Sequence, residues 1–228
     1  MSGGGPPVSK NSRNLARVIE ANEIDLVIDV GAFEGQYGRR LREAGYGGRI
    51  VSVEPLPAAR AVLARAVAGD PLWDLAPPFA LADRTGEAVF HVSANGPMSS
   101  LLEFRPEMAE LLDSARPVER VTVETRPLDA VFAELAGDAV SVMLKVDAQG
   151  AEERILDGAR DVLNRLVLIQ LELSIVPVYQ GAADYRRIVD RLAARDFEPV
   201  LFIPGYFNRR TARLIEMDGI FRRRLPTG

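Results

Sequence analysis

Apolar residues recur along the chain in two alternating rhythms: short unbroken runs, and longer stretches in which they return at three- and four-residue spacing. The first kind marks buried strands and the second marks amphipathic helices. Asp25–Val30 predicts a strand that ends in a glycine-containing loop. Tyr37, Leu41 and Ala44 then share a helical face that Gly45 stops. Arg49–Glu54 predicts a second strand, and Val62, Leu63, Ala66 and Val67 a second helix. Phe79–Ala82 predicts a third strand, with Thr85-Gly86 as a turn and Ala88–Ser93 returning beside it as a hairpin. Glu103–Ser114, with Phe104, Met108, Leu111 and Leu112 apolar, predicts an inserted helix, and Trp73 a packing residue. Val140–Val146 and Leu166–Leu173 are further buried strands, separated by a helix that turns Ile155, Leu156, Ala159 and Leu163 inward. Tyr185, Ile188, Val189 and Leu192 define another amphipathic face. Phe197–Ile203 and Leu214–Phe221 close the chain with no helix between them, and are therefore antiparallel.

This βα alternation predicts a Rossmann-like, doubly wound, mostly parallel sheet with a C-terminal antiparallel hairpin. The start, MSGGGPPVSKNS, reads as a flexible tail covering residues 1–14, and 15–228 as one domain. In such sheets ligands sit beyond the carboxyl ends of the strands, where strand order reverses. Asp29, Glu54, Asp83, Asp147 and Glu172 all fall at predicted strand ends. One such acid is an ordinary cap or turn residue, but five on the ligand edge point to a shared site.

Composition removes several classes of chemistry. The 228 residues are 47% hydrophobic and 26% charged, ordinary values for a globular protein. A formal net charge of −4 gives no general attraction to nucleic acid or anionic membrane. No apolar run approaches the ~20 residues that span a bilayer, and the first residues lack the apolar core of a secretory signal. The expected location is the cytoplasm. The absence of cysteine excludes disulfides, iron–sulfur clusters and thiol catalysis, and a single histidine argues against a conventional zinc site. Arg209, Arg210 and Arg213 with Arg222, Arg223 and Arg224 read as solvated strand and turn charges.

The loop after the first strand, LVIDVGAFEG, narrows the ligand. A dinucleotide fingerprint counted from Gly31 requires glycine at positions 33 and 36, where this chain has Phe33 and Gln36. That disfavours a nucleotide-cofactor oxidoreductase. Asp29, Gly31 and Gly35 instead fit the loop of class I methyltransferases, whose S-adenosylmethionine carries a sulfonium and no phosphate. An aspartate before the loop suits a cationic ligand. Glu54 lies 23 residues beyond Gly31, where a carboxylate can accept both ribose hydroxyls of either cofactor. The loop alone leaves a non-catalytic cofactor-binding domain open.

DVGAFEGQY, GRIVSVEP, LKVDAQGAE and the closing MDGIF together resemble the FkbM-type methyltransferases, over roughly Leu15 to Arg224. The resemblance implies methyl transfer from S-adenosylmethionine to oxygen of a small-molecule hydroxyl, such as a sugar or polyketide, without nucleic-acid or membrane partners. It places Asp29, Gly31, Ala32, Phe33 (where the family usually has Asn) and Gly35 in the cofactor loop. Glu54 is placed on the ribose, Asp83 near the adenine, Ser99 and Ser100 facing the cleft, and Asp147 beside the methyl group. An alcohol is a poor nucleophile at neutral pH, so O-methylation benefits from a base or a metal. Asp147 is the first candidate for base or acceptor-positioning residue, and Glu172 the second. His91, the single histidine, is the third, although its alternating setting VFHVS favours a partly exposed hairpin residue over a catalytic one. Magnesium shared by Asp147 and Glu172 is possible but disfavoured, because no third ligand is visible.

Overall fold

The structure, a computed structural model, describes residues 9–94, 96–109, 111, 112 and 116–224. In chain order the elements begin with α1 (Lys10–Ala21), β1 (Leu26–Val30), α2 (Gln36–Glu43), β2 (Arg49–Val53), α3 (Pro57–Val67) and β3 (Trp73–Leu75). They continue through β4 (Ala80–Leu81), β5 (Gly86–Ser93), β6 (Pro117–Arg126), α4 (Leu128–Ala136), β7 (Val142–Val146) and α5 (Glu152–Asp157). The last are β8 (Leu166–Ser174), α6 (Tyr185–Ala193), β9 (Phe197–Pro204), β10 (Phe207–Asn208), β11 (Arg213–Leu214) and β12 (Glu216–Arg223).

The main sheet has seven strands in the order β3-β2-β1-β7-β8-β12-β9. Pairing is parallel from β3 through β8, and β12 enters antiparallel between β8 and β9. The predicted doubly wound sheet with its closing antiparallel pair is therefore present. Strand order reverses between β1 and β7, so the ends of those two strands, Val30 and Val146, flank the switch point. Burial on both faces explains the unbroken apolar runs. Leu26, Ile28, Val30, Leu144 and Val146 pack with α4, α5 and α6 in one cluster. Val27, Ile50, Met143 and Leu168 pack with Leu15, Leu41 and Leu63 of α1, α2 and α3 in the other. Each such fully buried aliphatic side chain contributes about 1.5–3 kcal/mol.

Several local expectations change. Residues 10–14, read from sequence as the end of a tail, belong to α1, whose N-cap Ser9 accepts a hydrogen bond from the amide of Ser12. Residues 1–8 of that tail lie outside the described residues. Phe79–Ala82 and Ala88–Ser93 do not pair with each other. β6, a strand outside the predicted set, lies between β4 and β5 and pairs parallel with one and antiparallel with the other. Within β6 only Val123 and Thr125 are buried, so its sequence lacks a sustained apolar face. α4 does carry helical spacing, with Leu128, Val131, Phe132 and Leu135 buried, and it too was outside the predicted set. The helix expected over Glu103–Ser114 reduces to a short 3₁₀ turn at Pro106–Met108; Glu110, Asp113 and Ser114 lie outside the described residues. Trp73 packs as expected and also opens the edge strand β3, its indole N–H donating to Ser52 Oγ at 2.9 Å. Arg222 pairs with Glu198 at 2.6 Å across the closing strands. No helix among the described residues is long and apolar enough to cross a membrane.

Candidate functional site

A cleft opens at the switch point. Its floor is the loop after β1, with Gly31 and Phe33, and its roof is the segment from Gly96 to Leu101. Val53, Leu81, Phe90 and Ile155 supply apolar walls, while Glu54 and Asp147 supply the acids. These walls suit a flat heterocycle, and the acid at the end of β2 suits a diol.

The glycine at position 31 has a cause internal to the fold. Its φ is +69°, and a Cβ there would come within 1.9 Å of the Asp147 carbonyl oxygen. Any side chain would push the ends of β1 and β7 apart. Gly35 also has positive φ, +85°, and caps α2. Ala32 is buried in the core beneath the loop rather than lining the cleft. Phe33 adopts φ +47°, a conformation that costs an L-residue about 1–2 kcal/mol. Asn tolerates this region far better than an aromatic residue. The Phe33 ring lines the cleft and packs against Gly96, where a Cβ would lie 2.6 Å from it.

Glu54 braces this floor. One carboxylate oxygen accepts the amide of Phe33 and the other that of Leu56, both at 2.9 Å. Each oxygen retains a second lone pair for a ligand hydroxyl. Burial raises its pKa, opposed by these two amides. Glu54→Ala is therefore expected to act twice. It should cost about 1.5–3 kcal/mol of S-adenosylhomocysteine affinity, seen by calorimetry, and about 1–3 kcal/mol of stability from stranded amides. Unchanged affinity would place the ribose elsewhere.

Asp29 does not reach the cleft. It is fully buried on the α2 face of the sheet, in register with Ser52 on one side and Lys145 on the other. Lys145 in turn aligns with Gln170, so a row of buried polar residues crosses β2, β1, β7 and β8. Lys145 Nζ lies 3.0 Å from Asp29 Oδ1 and 3.7 Å from Asp147 Oδ2. The same ammonium stands 3.4 and 3.5 Å from the carbonyls of Val30 and Gly31, and 5.0 Å from the Tyr37 ring centroid. Tyr37 completes the row by donating to Gln170 Oε1 at 2.7 Å. The aspartate before the loop thus holds a lysine that ties down the loop from beneath.

Two residues onward, on the same face, stand Asp147, Glu172 and Asp218, the last two paired in register. Gln149 joins Asp147 to Glu172, and Glu216 begins the neighbouring strand. Burial raises the Glu172 pKa well above the carboxylate range, helped by the charges of Asp147 and Glu216. Burial likewise pushes Glu216 up to about 7, with Asp147 and Asp218 adding to it. Glu152 reaches about 7 by burial, although its carboxylate accepts the amides of Ala148 and Gly150.

The remaining candidates sit apart. Asp83 is exposed beyond β4 beside Arg84, and Ala80 and Leu81 line the cleft in its place. Ser99 lines the cleft, whereas Ser100 is buried and donates its hydroxyl to the Gln149 carbonyl at 2.8 Å. His91 pairs with Ser100 through the backbone, and its neighbour Phe90 is the one that lines the cleft. Among the described residues no group of three or more acids and histidines is arranged to hold a metal ion. Lys145, Gln149, Tyr179, Glu216 and Asp218 were not among the candidates from sequence. A lysine inside the apolar run VMLKV was the legible signal, since lysine is almost never buried without a partner.

The family described as "Methyltransferase FkbM domain" matches residues 29–199. The 2-O-methyltransferase NoeI of Sinorhizobium fredii is 28% identical over 203 residues, which cover 86% of this chain and 81% of that protein. Among solved structures, the O-methyltransferase from Bacillus cereus in complex with SAH aligns with a TM-score of 0.52 at 13% identity, over 96% of this chain and 84% of that one. Cofactor-bound Rv0187 from MTB aligns with a TM-score of 0.52 at 14% identity, over 95% and 81%. At such identities the structures speak for the fold alone. The family match does more, because it spans the loop after β1, the acid ending β2 and the segment LKVDAQGAE in one continuous stretch. The chain belongs to the FkbM methyltransferase family and is an S-adenosylmethionine-dependent methyltransferase.

Proposed function

We propose that the protein methylates a hydroxyl oxygen of a small molecule of the sugar or polyketide type. The observation that carries this reading is the pair Asp147 and Glu172, bridged by one amide at the ends of adjacent strands beside the cofactor cleft. A carboxylate pair can position a hydroxyl and take its proton. The name of the Sinorhizobium relative, a 2-O-methyltransferase, supports oxygen as the acceptor atom. Glu216 and Asp218 join these acids on the acceptor side. Such crowding of carboxylates opposes a polyphosphate chain, which is bound through cations, and favours a neutral or cationic small molecule.

S-adenosylmethionine, when bound, supplies an electrophilic methyl group on sulfur. The chain's own residues do the rest. Glu54 accepts the ribose hydroxyls, and Phe33, Leu81 and Phe90 enclose the nucleoside and exclude water. Asp147, its side chain 38% exposed, would orient the acceptor hydroxyl and take up its proton. Glu172 binds a second acceptor hydroxyl. Holding both partners at about 3 Å separation supplies several kcal/mol of the barrier reduction.

The test is product analysis. Incubation with methyl-¹³C-labelled S-adenosylmethionine and a panel of glycosides and polyketide alcohols should give O-methyl carbon resonances with one or more of them. Label found only on nitrogen or on nucleic acid would overturn the reading.

A further inference from the structure

Gln149 lies at the junction of the acceptor-side acids and the cofactor roof, and its side chain uses every polar atom. Nε2 donates to Asp147 Oδ1 and to Glu172 Oε2, both at 2.9 Å. Oε1 accepts from the Tyr179 hydroxyl at 3.1 Å, and that hydroxyl also lies 2.8 Å from the Met98 carbonyl. The Gln149 carbonyl receives the Ser100 hydroxyl at 2.8 Å. The residue is 5% exposed and holds φ at +54°. A non-glycine residue keeps such a conformation only where its surroundings over-determine it.

The amide has one sensible orientation. Turned over, its carbonyl oxygen would face the carboxylate oxygens of Asp147 and Glu172, and both hydrogen bonds to the acids would be lost. As placed, it donates one N–H to each acid. It therefore bridges the two acids through hydrogen bonds that bring no charge of their own, beside the Lys145 ammonium 3.7 Å from Asp147 Oδ2. Through Tyr179 and Ser100 the same residue is fastened to Met98 and Ser100 of the segment that roofs the cleft.

We propose that Gln149 is a positioning residue for methyl transfer: it fixes Asp147 and Glu172 relative to each other and ties both to the roof over the cofactor. The proposal rests on the reading of Asp147 and Glu172 as the acceptor-side acids. Its consequence is electrostatic as well as geometric. Hydrogen bonds donated to a carboxylate favour its charged form, so without the one from Gln149 the buried Glu172 should hold its proton to still higher pH. The groups facing the pair are Lys145 on β7, Glu152 on α5, Tyr179 after β8, and Glu216 and Asp218 on β12. All of them remain when Gln149 alone is changed.

S-adenosylmethionine and S-adenosylhomocysteine are the probes, because they differ by one methyl group and one positive charge. The ratio of their dissociation constants reads the negative charge at the methyl position and requires no acceptor. For the unmodified protein, calorimetry from pH 5 to 9 should show the methylated form gaining on the demethylated one as pH rises. In Gln149→Met, which keeps length without polar atoms, the midpoint should move upward by about one pH unit or more. Tyr179→Phe, which frees the amide to turn, should move it in the same direction by less, and decides the matter if Gln149→Met does not fold. An unchanged midpoint in whichever of the two folds overturns the proposal. Equal loss of both ligands with no change in their ratio also overturns it, as a structural role alone. A ratio independent of pH in the unmodified protein overturns it while leaving the cofactor reading intact. Failure of the unmodified protein to bind either ligand overturns both.

Discussion

Asp147→Asn is expected to lower turnover by about 10²-fold or more while leaving S-adenosylhomocysteine bound. The substitution keeps the shape of the side chain and its place at the end of β7, but an amide cannot take up the acceptor proton. A group that acts on the acceptor only as the bond forms lowers turnover without weakening the cofactor. Asp147 suits that task because it is reachable: one oxygen is held by Gln149, and the other lies 3.7 Å from Lys145 near the cleft. Glu172→Gln should act mainly through acceptor affinity, and His91→Ala should do little, since His91 lies on a strand whose neighbouring residue faces the cleft. The measurement is single-turnover methyl transfer to the acceptor found by product analysis, beside calorimetry of S-adenosylhomocysteine. Full turnover in Asp147→Asn would remove it from the reaction.

Lys145→Met should be the most destabilising of these substitutions, by about 3–5 kcal/mol in chemical denaturation. It strands the Asp29 carboxylate, which is fully buried, and among the described residues neither of its oxygens has a hydrogen-bond donor to replace the ammonium. The double change Lys145→Met with Asp29→Leu removes both charges and should recover most of the loss, because an apolar pair needs no compensation. The single variant should also bind cofactor poorly, since the ammonium approaches the carbonyls of Val30 and Gly31 from below. Burial presses the Lys145 pKa down, but Asp29 and Asp147 together lift it above the ordinary lysine value. A raised lysine contributes its full stability below the unfolded value of about 10.4 and loses it as pH climbs through the folded one. The difference between Lys145→Met and the unmodified protein should therefore stay flat through neutral pH and shrink only in strong alkali. A loss under 1 kcal/mol, or one that grows with alkaline pH, would refute the account.

What the chain determined by itself is the periodic part. The apolar runs at Leu26–Val30, Arg49–Val53, Val142–Val146 and Leu166–Ser174, with amphipathic helices between, specify a parallel sheet because each signal lies within a few turns of chain. The acids at strand ends and the glycine loop were legible for the same local reason. β6 escaped because only Val123 and Thr125 face a core, so its alternation does not stand out from loop sequence. Strand register and strand order were decided only in three dimensions. They turn Asp29 beneath the sheet onto Lys145, 116 positions away. They press the Asp147 carbonyl against Gly31, so that glycine answers to the chain itself before any ligand. They leave Asp83 outside a cleft lined by Ala80 and Leu81, and they gather Asp147, Glu172, Tyr179 and Ser100 around Gln149. Local periodicity tells which face of a strand is buried. Which side chains meet across neighbouring strands depends on the order in which those strands pack, a property of the whole core.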